Sequence, residues 1–388
     1  MVRFSEGNHI ELLQSGAEYF PALIAACDAA TSEIHLQTYI FKDDATGRRI
    51  AQALMRAVRR GVSVHLLIDG FGSKELSAEF LHDLRAAGVR VLKYRPEISP
   101  WTLQRERLRR LHHKIAVVDA RVAFVGGINV IDDMDTPGQV PPRFDYAVKV
   151  EGPLLAQINP AITRLWGLVA VTQLRLRKLP SPAAPVRVES RGTQRAAFVV
   201  RSNVRHRKDI ENAYLEAMQH ARSEILIASA YFFPGKNFRR ALIGAAARGV
   251  RVILLLQGRA EYWLLYYASH ALYRQFLDAG IEIYEYRRGF LHAKVAVIDN
   301  HWATVGSSNI DPMSLLLARE ANVVVEDAGF ALGLWSSLEQ AIVAGAEPVR
   351  RMEWRAQWLS ARIMPWLCYE IVRFLIGWSS YGRARDFT

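Results

Sequence analysis

His112-x-Lys114-x4-Asp119 and His292-x-Lys294-x4-Asp299 are one phrase written twice, with every matched residue 180 positions on (292 − 112). The downstream context repeats as well, as Gly126-Gly127-Ile128-Asn129 and then Gly306-Ser307-Ser308-Asn309. One such motif is weak; two with identical internal spacing imply that both halves build one site. In an extended segment alternate side chains share a face, so His112 and Lys114 point one way, as do His292 and Lys294. Asp119 and Asp299 complete the catalytic motif, but their parity is odd and each opens a short turn. They are therefore expected chiefly to hold a hairpin. Converged, the two faces offer two imidazoles, two ammonium groups and two Asn amides, with no cluster of metal ligands.

That set suits substitution at a phosphodiester. One imidazole attacks phosphorus in line and forms a phosphohistidine, which splits a hard displacement into two easier ones. The other protonates the leaving alcohol and then takes the proton of the incoming one, a task for a group titrating near neutrality. Lys114 and Lys294 neutralise the non-bridging oxygens where charge grows, and Asn129, Ser307 and Asn309 donate hydrogen bonds to them. No cofactor is needed. Carboxylates are expected to orient the imidazoles: Glu320, 28 positions after His292 (320 − 292) and at a strand start, with Asp145 as its counterpart in the first half. By parity His113 faces away from its neighbours, and His35, His65, His206 and His301 lack partner spacing. The basic run from Arg105 to Arg110 is either a guide for an anionic head group or a solvated face.

Elements that could carry these groups repeat too. Ser32-Glu33-Ile34, leading to Tyr39-Ile40-Phe41, parallels Ser223-Glu224-Ile225, leading to Tyr231-Phe232-Phe233. Both read as buried strands. A helical pattern closed by Arg60-Gly61-Val62 matches one closed by Arg248-Gly249-Val250, where the glycine marks a helix end. Strands at 64–68 and 252–256 follow, then helices ending at Gly88 and Gly280. Strand and helix alternate in each half, which predicts an α/β fold with a mostly parallel sheet covered by helices. The expected organisation is a first domain at 1–178, a Pro-rich linker at 179–195 and a second domain at 196–345. The two are related by a pseudo-twofold axis that makes one site from two half-sites.

The chain has 388 residues, enough for two cores, and a formal charge of +12 that attracts polyanions, nucleic acid or an anionic membrane. Two cysteines indicate no disulfide framework and fit a reducing compartment. No secretory leader is recognisable at Met1, and no apolar stretch is long enough to span a bilayer. The segment 346–388 mixes Trp354, Trp358, Trp366 and Trp378 with many arginines. It reads as an amphipathic membrane-interface segment, with packing of Trp on the core as the alternative.

The motifs resemble the His-Lys-Asp signature of the phospholipase D superfamily. From about residue 5 to 345 the chain resembles the bacterial cardiolipin synthases, in particular the shorter type without N-terminal transmembrane helices. The resemblance includes Glu6-Gly7-Asn8, the segment from Leu67 to Ser73, Asp145-Tyr146-Ala147 through Pro153, and Gly306 through Pro312. It implies two tandem phospholipase D-like α/β/α sandwich domains and transfer of a phosphatidyl group to the terminal hydroxyl of phosphatidylglycerol. With phosphatidylglycerol as donor, the products are cardiolipin and glycerol. On this resemblance His112 or His292 is the nucleophile, with the superfamily pattern favouring His112, and Lys114, Lys294, Asn129 and Asn309 bind phosphate. The partners implied are anionic phospholipids and the cytoplasmic side of the cell membrane, not nucleic acid. One departure is Gly127, where the superfamily pattern has Ser. A hydrolase passing the intermediate to water and a nuclease of the same superfamily are the alternatives.

Overall fold

The computed structural model describes residues 2–95, 110–173, 189–202, 206–311, 318–351 and 359–379. The Arg105–Arg109 part of the basic run, most of the expected linker, and Trp354, Trp358 and Trp378 lie outside those residues or have undescribed side chains.

In the first half β1 (Phe4–Gln14), β2 (Glu33–Thr38), β3 (Ser63–Asp69), β4 (Arg90–Tyr94), β5 (Ile115–Val118), β6 (Val122–Gly126) and β8 (Tyr146–Glu151) line up in the order β1-β8-β6-β5-β2-β3-β4. In the second half β9 (Gln194–Arg201), β10 (Glu224–Ser229), β11 (Arg251–Gln257), β12 (Glu282–Tyr286), β14 (Lys294–Ile298), β15 (Trp302–Gly306) and β16 (Glu320–Glu326) repeat that order as β9-β16-β15-β14-β10-β11-β12. β1 pairs with β9 antiparallel, so one sheet runs through both halves and the repeats spread outward from a central pair. β17 (Ala346–Pro348) adds to the edge at β12. The short β7 (Arg143–Phe144) and β13 (Phe290–Leu291) pair parallel across the halves.

The expectation of a mostly parallel sheet is corrected. Parallel pairing is confined to β2-β3-β4 and β10-β11-β12, the strands joined by helices; the other pairs of the large sheet are antiparallel. The reason is connection length. The motif strands are joined to their successors by the three-residue turns Asp119-Ala120-Arg121 and Asp299-Asn300-His301, whose first two residues all have positive φ near 50°. So short a link cannot make a parallel crossover.

Alternation along each strand divides its residues between two cores. Ile115, Val117, Val125, Val148 and Val150 meet Val295, Val297, Val305, Val323 and Val325 in the layer between the halves. Their neighbours Ala116, Val118 and Phe124 face outward onto α1 (Ser15–Ala29), α2 (Ala45–Arg59) and α3 (Ala78–Ala86). Ala296, Ile298 and Val324 face α5 (Asp209–His220), α6 (Lys236–Ala247) and α7 (Trp263–Asp278) in the same way. Two further helices, α4 (Leu155–Gln173) and α8 (Ala328–Gly345), contribute Ile158, Ile162, Leu334 and Leu338 to the middle layer. Burying one aliphatic side chain contributes about 1.5–3 kcal/mol. The shared layer therefore holds the half-sites in fixed register. Gly61 and Gly249 both end their helices at φ +88°, a conformation that a Cβ would strain. Last comes α9 (Leu359–Ser379), whose Cys368 and Val372 pack with Phe233 and Ala268 beside α7.

Candidate active site

Each motif is tied into the opposite half before its side chains act. His112 N donates to Arg319 O at 3.0 Å, and His292 N donates to Phe144 O at 2.8 Å. The residue after each acceptor is a carboxylate, and it meets the imidazole of the other half. Glu320 lies 2.9 Å from His112 Nδ1, and Asp145 lies 2.6 Å from His292 Nδ1. The structure thus brings both sequence-nominated carboxylates to the imidazoles, but crossed between the halves. Spacing within one half carries no sign of that exchange.

Glu320 is fully buried and Asp145 is 2% exposed. Burial alone would raise Asp145, but the Lys294 ammonium and the bond to His292 outweigh it and hold the carboxyl below its usual range. An ionised carboxylate accepts, so Nδ1 of His292 carries the proton and Nε2 keeps a free lone pair for chemistry. Burial, then Lys294, pushes the His292 imidazole down to about 3, and burial lowers His112 as well. Neutral imidazoles suit nucleophile and base. A phosphodiester anion beside them would raise both, making one an acid when substrate is present.

Lys114 and Lys294 are 2% and 1% exposed. Lys114 Nζ donates to His112 O at 3.0 Å and stands 5.3 Å from the Tyr39 ring; burial brings it down to about 7. Lys294 Nζ lies 3.4 Å from Asp145 Oδ2 and 2.8 Å from His292 Nδ1. Its pKa too is lowered by burial. Asn129 and Asn309 are both buried; Asn129 Oδ1 accepts from Ile40 N at 3.1 Å, while Asn309 Oδ1 has no partner among the described residues.

Two groups named from the sequence do not face the cleft. Asp119 accepts from the backbone N–H of Thr31, Ser32 and Glu33 at 2.8–2.9 Å and from two hydroxyls. Asp299 accepts from Arg222 N, Ser223 N and Oγ, and Glu224 N. Both clamp the far end of the motif hairpin to the start of β2 or β10. Ser307, expected to donate to substrate, gives its proton to Glu320 at 2.5 Å instead. The matching Gly127 has a physical cause, because a Cβ there would lie 2.3 Å from Asp145 Oδ1. The carboxylate fills the space that a serine would need.

Sequence reasoning missed Tyr39 and Asp69. The Tyr39 ring packs edge-on to His112 at 4.9 Å. Asp69 is fully buried and accepts Leu111 N at 2.8 Å, fixing the backbone just before His112. Tyr39 had a signal in its repeat partner Tyr231. Asp69 had no repeat partner, since Gln257 stands in its place at the end of β11, and only its place in the Leu67–Ser73 segment of the resemblance pointed to it. His113 is buried against Gln37, and His35 and His65 stack on each other at 4.4 Å away from the cleft.

A duplicated α/β fold whose two His-x-Lys motifs close on one cleft defines a phospholipase D-like protein. Residues 23–134 and 214–342 match the family described as cardiolipin synthase, PLD-like domain, and the chain belongs to that family. It is 40% identical to cardiolipin synthase B of Escherichia coli (strain K12) over 354 residues, covering 89% of this chain and 83% of the relative. It is 31% identical to probable cardiolipin synthase YwiE of Bacillus subtilis (strain 168) over 322 residues, covering 83% and 63%. Among solved structures, phosphatidylserine synthase of Haemophilus influenzae Rd KW20 shares the fold with a TM-score of 0.69 at 13% identity, over 94% of this chain and 93% of that one.

Proposed function

We propose that this protein is a cardiolipin synthase that passes a phosphatidyl group from one phospholipid to the terminal hydroxyl of phosphatidylglycerol through a phosphohistidine. The observation that carries the reading is the crossed clamp: each imidazole is held through Nδ1 by a carboxylate of the other half, leaving Nε2 for the shared cleft. The relationship to cardiolipin synthases over most of the chain supplies the substrate class.

In the proposed reaction His112 Nε2 forms a bond to phosphorus as the bond to the head-group oxygen breaks. That oxygen takes its proton from the His292 imidazolium. The acceptor hydroxyl then gives a proton to His292 and bonds to phosphorus, and the P–N bond to His112 breaks. Lys114 and Lys294 face the charge growing on the non-bridging oxygens, with the amides of Asn129 and Asn309 beside them. Glu320 and Asp145 orient the imidazoles, Ser307 supports Glu320, and Asp119 and Asp299 act only by holding the hairpins.

Purified protein in mixed micelles of phosphatidylglycerol with EDTA tests the activity, with lipid products read by mass spectrometry. Cardiolipin and glycerol from wild type, absent in His112→Ala and His292→Ala, are expected. Phosphatidic acid alone would mean a hydrolase, and nicking of DNA without lipid turnover a nuclease. The polarity of the histidines is tested with a phosphatidyl ester of p-nitrophenol, whose leaving group needs no acid. His292→Ala should still release nitrophenolate and His112→Ala should not; the reverse pattern exchanges the roles.

The protein is proposed to act as a peripheral or monotopic protein on the cytoplasmic face of the cell membrane. No described helix is long and apolar enough to cross a bilayer. Yet α9, packed on one side through Cys368 and Val372, presents Ile363, Leu367, Ile371 and Phe374 outward, with Phe374 73% exposed. A helix apolar on both faces needs a second cover, and an in-plane position at the lipid boundary supplies it. Glu370 and Arg373 pair with each other at 3.0 Å, between the outward face and the packed one.

A further inference from the structure

Pseudo-symmetry makes Arg143-Phe144-Asp145 and Ala318-Arg319-Glu320 equivalent. In each, the middle carbonyl accepts the motif His N–H of the other half and the third residue clamps that His. The first residues differ completely, since one half-site carries Arg143 where the other carries Ala318. Arg143 is 8% exposed, and its guanidinium lies 5.2 Å over the Phe290 ring, which in turn lies 5.7 Å from the His292 ring. Among the described residues its Nη2 donates only to the backbone oxygen of Asp135, at 3.1 Å. Its Nε and Nη1 donate to nothing among the described residues, and no carboxylate comes within ion-pair distance of it there. Asp133, Asp145, Glu261 and Asp135 contribute a negative field from farther away.

A buried guanidinium with two idle donors is a costly arrangement unless a ligand completes it. Its planar fork matches two oxygens of a phosphate. The reacting phosphate already has Lys114, Lys294 and the two Asn residues, so Arg143 stands for a different anion on the His292 side only. The reaction supplies one. An acceptor phospholipid carries its own phosphodiester, a glycerol unit away from the hydroxyl that attacks, and that hydroxyl must sit against His292.

We infer that Arg143 is the phosphate-binding residue of a second-lipid subsite, holding the phosphodiester of the acceptor phospholipid beside His292. The inference rests on the synthase reading and deepens it. While Arg143 holds that phosphodiester, the acceptor hydroxyl gives its proton to His292, its oxygen bonds to phosphorus, and the bond from phosphorus to His112 breaks. Arg143 touches neither reacting atom; it positions and selects the acceptor. A symmetric site would favour neither lipid at either imidazole, and the Arg143/Ala318 difference removes that symmetry.

The test compares two acceptors for one donor. Full-length protein in phosphatidylglycerol micelles with deuterated glycerol forms cardiolipin when phosphatidylglycerol accepts, and deuterated phosphatidylglycerol when glycerol accepts. Donor binding and phosphohistidine formation are common to both, so their effects cancel in the product ratio. Arg143→Gln should lower cardiolipin relative to glycerol exchange by about tenfold or more, the loss of a charge-assisted phosphate contact. Arg143→Lys, which keeps the charge but not the fork, should raise KM for acceptor phosphatidylglycerol by a larger factor than KM for glycerol, which also covers the case in which Arg143→Gln does not fold. Equal losses of both products in Arg143→Gln, or an unchanged KM in Arg143→Lys, would overturn the subsite. Wild type that exchanges glycerol or makes phosphatidic acid but never cardiolipin would overturn the synthase reading itself, and this inference with it.

Discussion

Replacing Asp145 with Asn removes one charge from the centre of the cleft while leaving its shape. Asp145 Oδ2 stands 2.6 Å from His292 Nδ1 and 3.4 Å from Lys294 Nζ. An amide NH2 turned toward Nδ1 favours the opposite tautomer, with the proton on Nε2, where the ring can no longer take a proton from the acceptor. The same change in a Ser-His-Asp triad lowers kcat by ~10^4. A fall of ~10^3 to 10^4 in phosphatidyl transfer is expected here, about 4–5.5 kcal/mol of barrier. Asp145→Asn also strands Lys294, which is 1% exposed. Breaking a buried pair costs about 3–5 kcal/mol, and loss of the lysine proton, already favoured by burial, relieves part of it. Glu320→Gln should cost similar activity but less stability, because Ser307 can still donate to the amide oxygen and no lysine among the described residues bonds to Glu320. Turnover, thermal denaturation and histidine 15N NMR would be measured on both variants. If Asp145→Asn shifted the His112 ring signals rather than those of His292, or kept a tenth of wild-type turnover, the crossed-clamp reasoning would be wrong.

Gly127→Ser should lower turnover by about a hundredfold, since its Cβ would push Asp145 off His292 and misplacement of a catalytic group by ~1 Å costs on that scale; near-wild-type kinetics would contradict it. Asp119→Ala should cut stability by about 3 kcal/mol while leaving kcat of the folded fraction within a few-fold of wild type, as read by chemical denaturation and by activity per folded molecule. Burial holds His292 and His113 down at about 3 and His65 at about 4, so from pH 6.5 downward the unfolded chain binds protons that the native state refuses. The histidine contribution to stability should be complete above pH 6.5 and be lost progressively toward pH 3–4, and His113→Gln should flatten that slope in thermal melts across the range. Leu367→Glu with Phe374→Glu should abolish co-sedimentation with anionic vesicles without changing the far-UV spectrum; unchanged sedimentation would leave the outward face of α9 without its proposed lipid cover.

The duplicated motifs, their spacing and the repeated strand–helix order could be read from the chain because they are local. Parity put His and Lys on one face and left each Asp at a hairpin turn, where it binds the backbone entering β2 or β10. Repeat order likewise specified which elements each half contains. Strand sense followed only at the motif hairpins, whose three-residue turns dictate antiparallel pairing; elsewhere the alternation of strand and helix suggested parallel pairing that only the helix-joined strands adopt. The crossed carboxylates and the seat of Arg143 over Phe290 depend on the packing of the two halves, whereas the commitment of Ser307 to Glu320 and the lack of room at Gly127 arise between neighbouring strands of one half. The two imidazole–carboxylate contacts join residues more than 100 positions apart in sequence, and no local pattern encodes which half supplies the partner. The sequence by itself determined what chemistry the groups could do; only the tertiary structure decided which carboxylate each imidazole uses and that the two halves of the site are unequal.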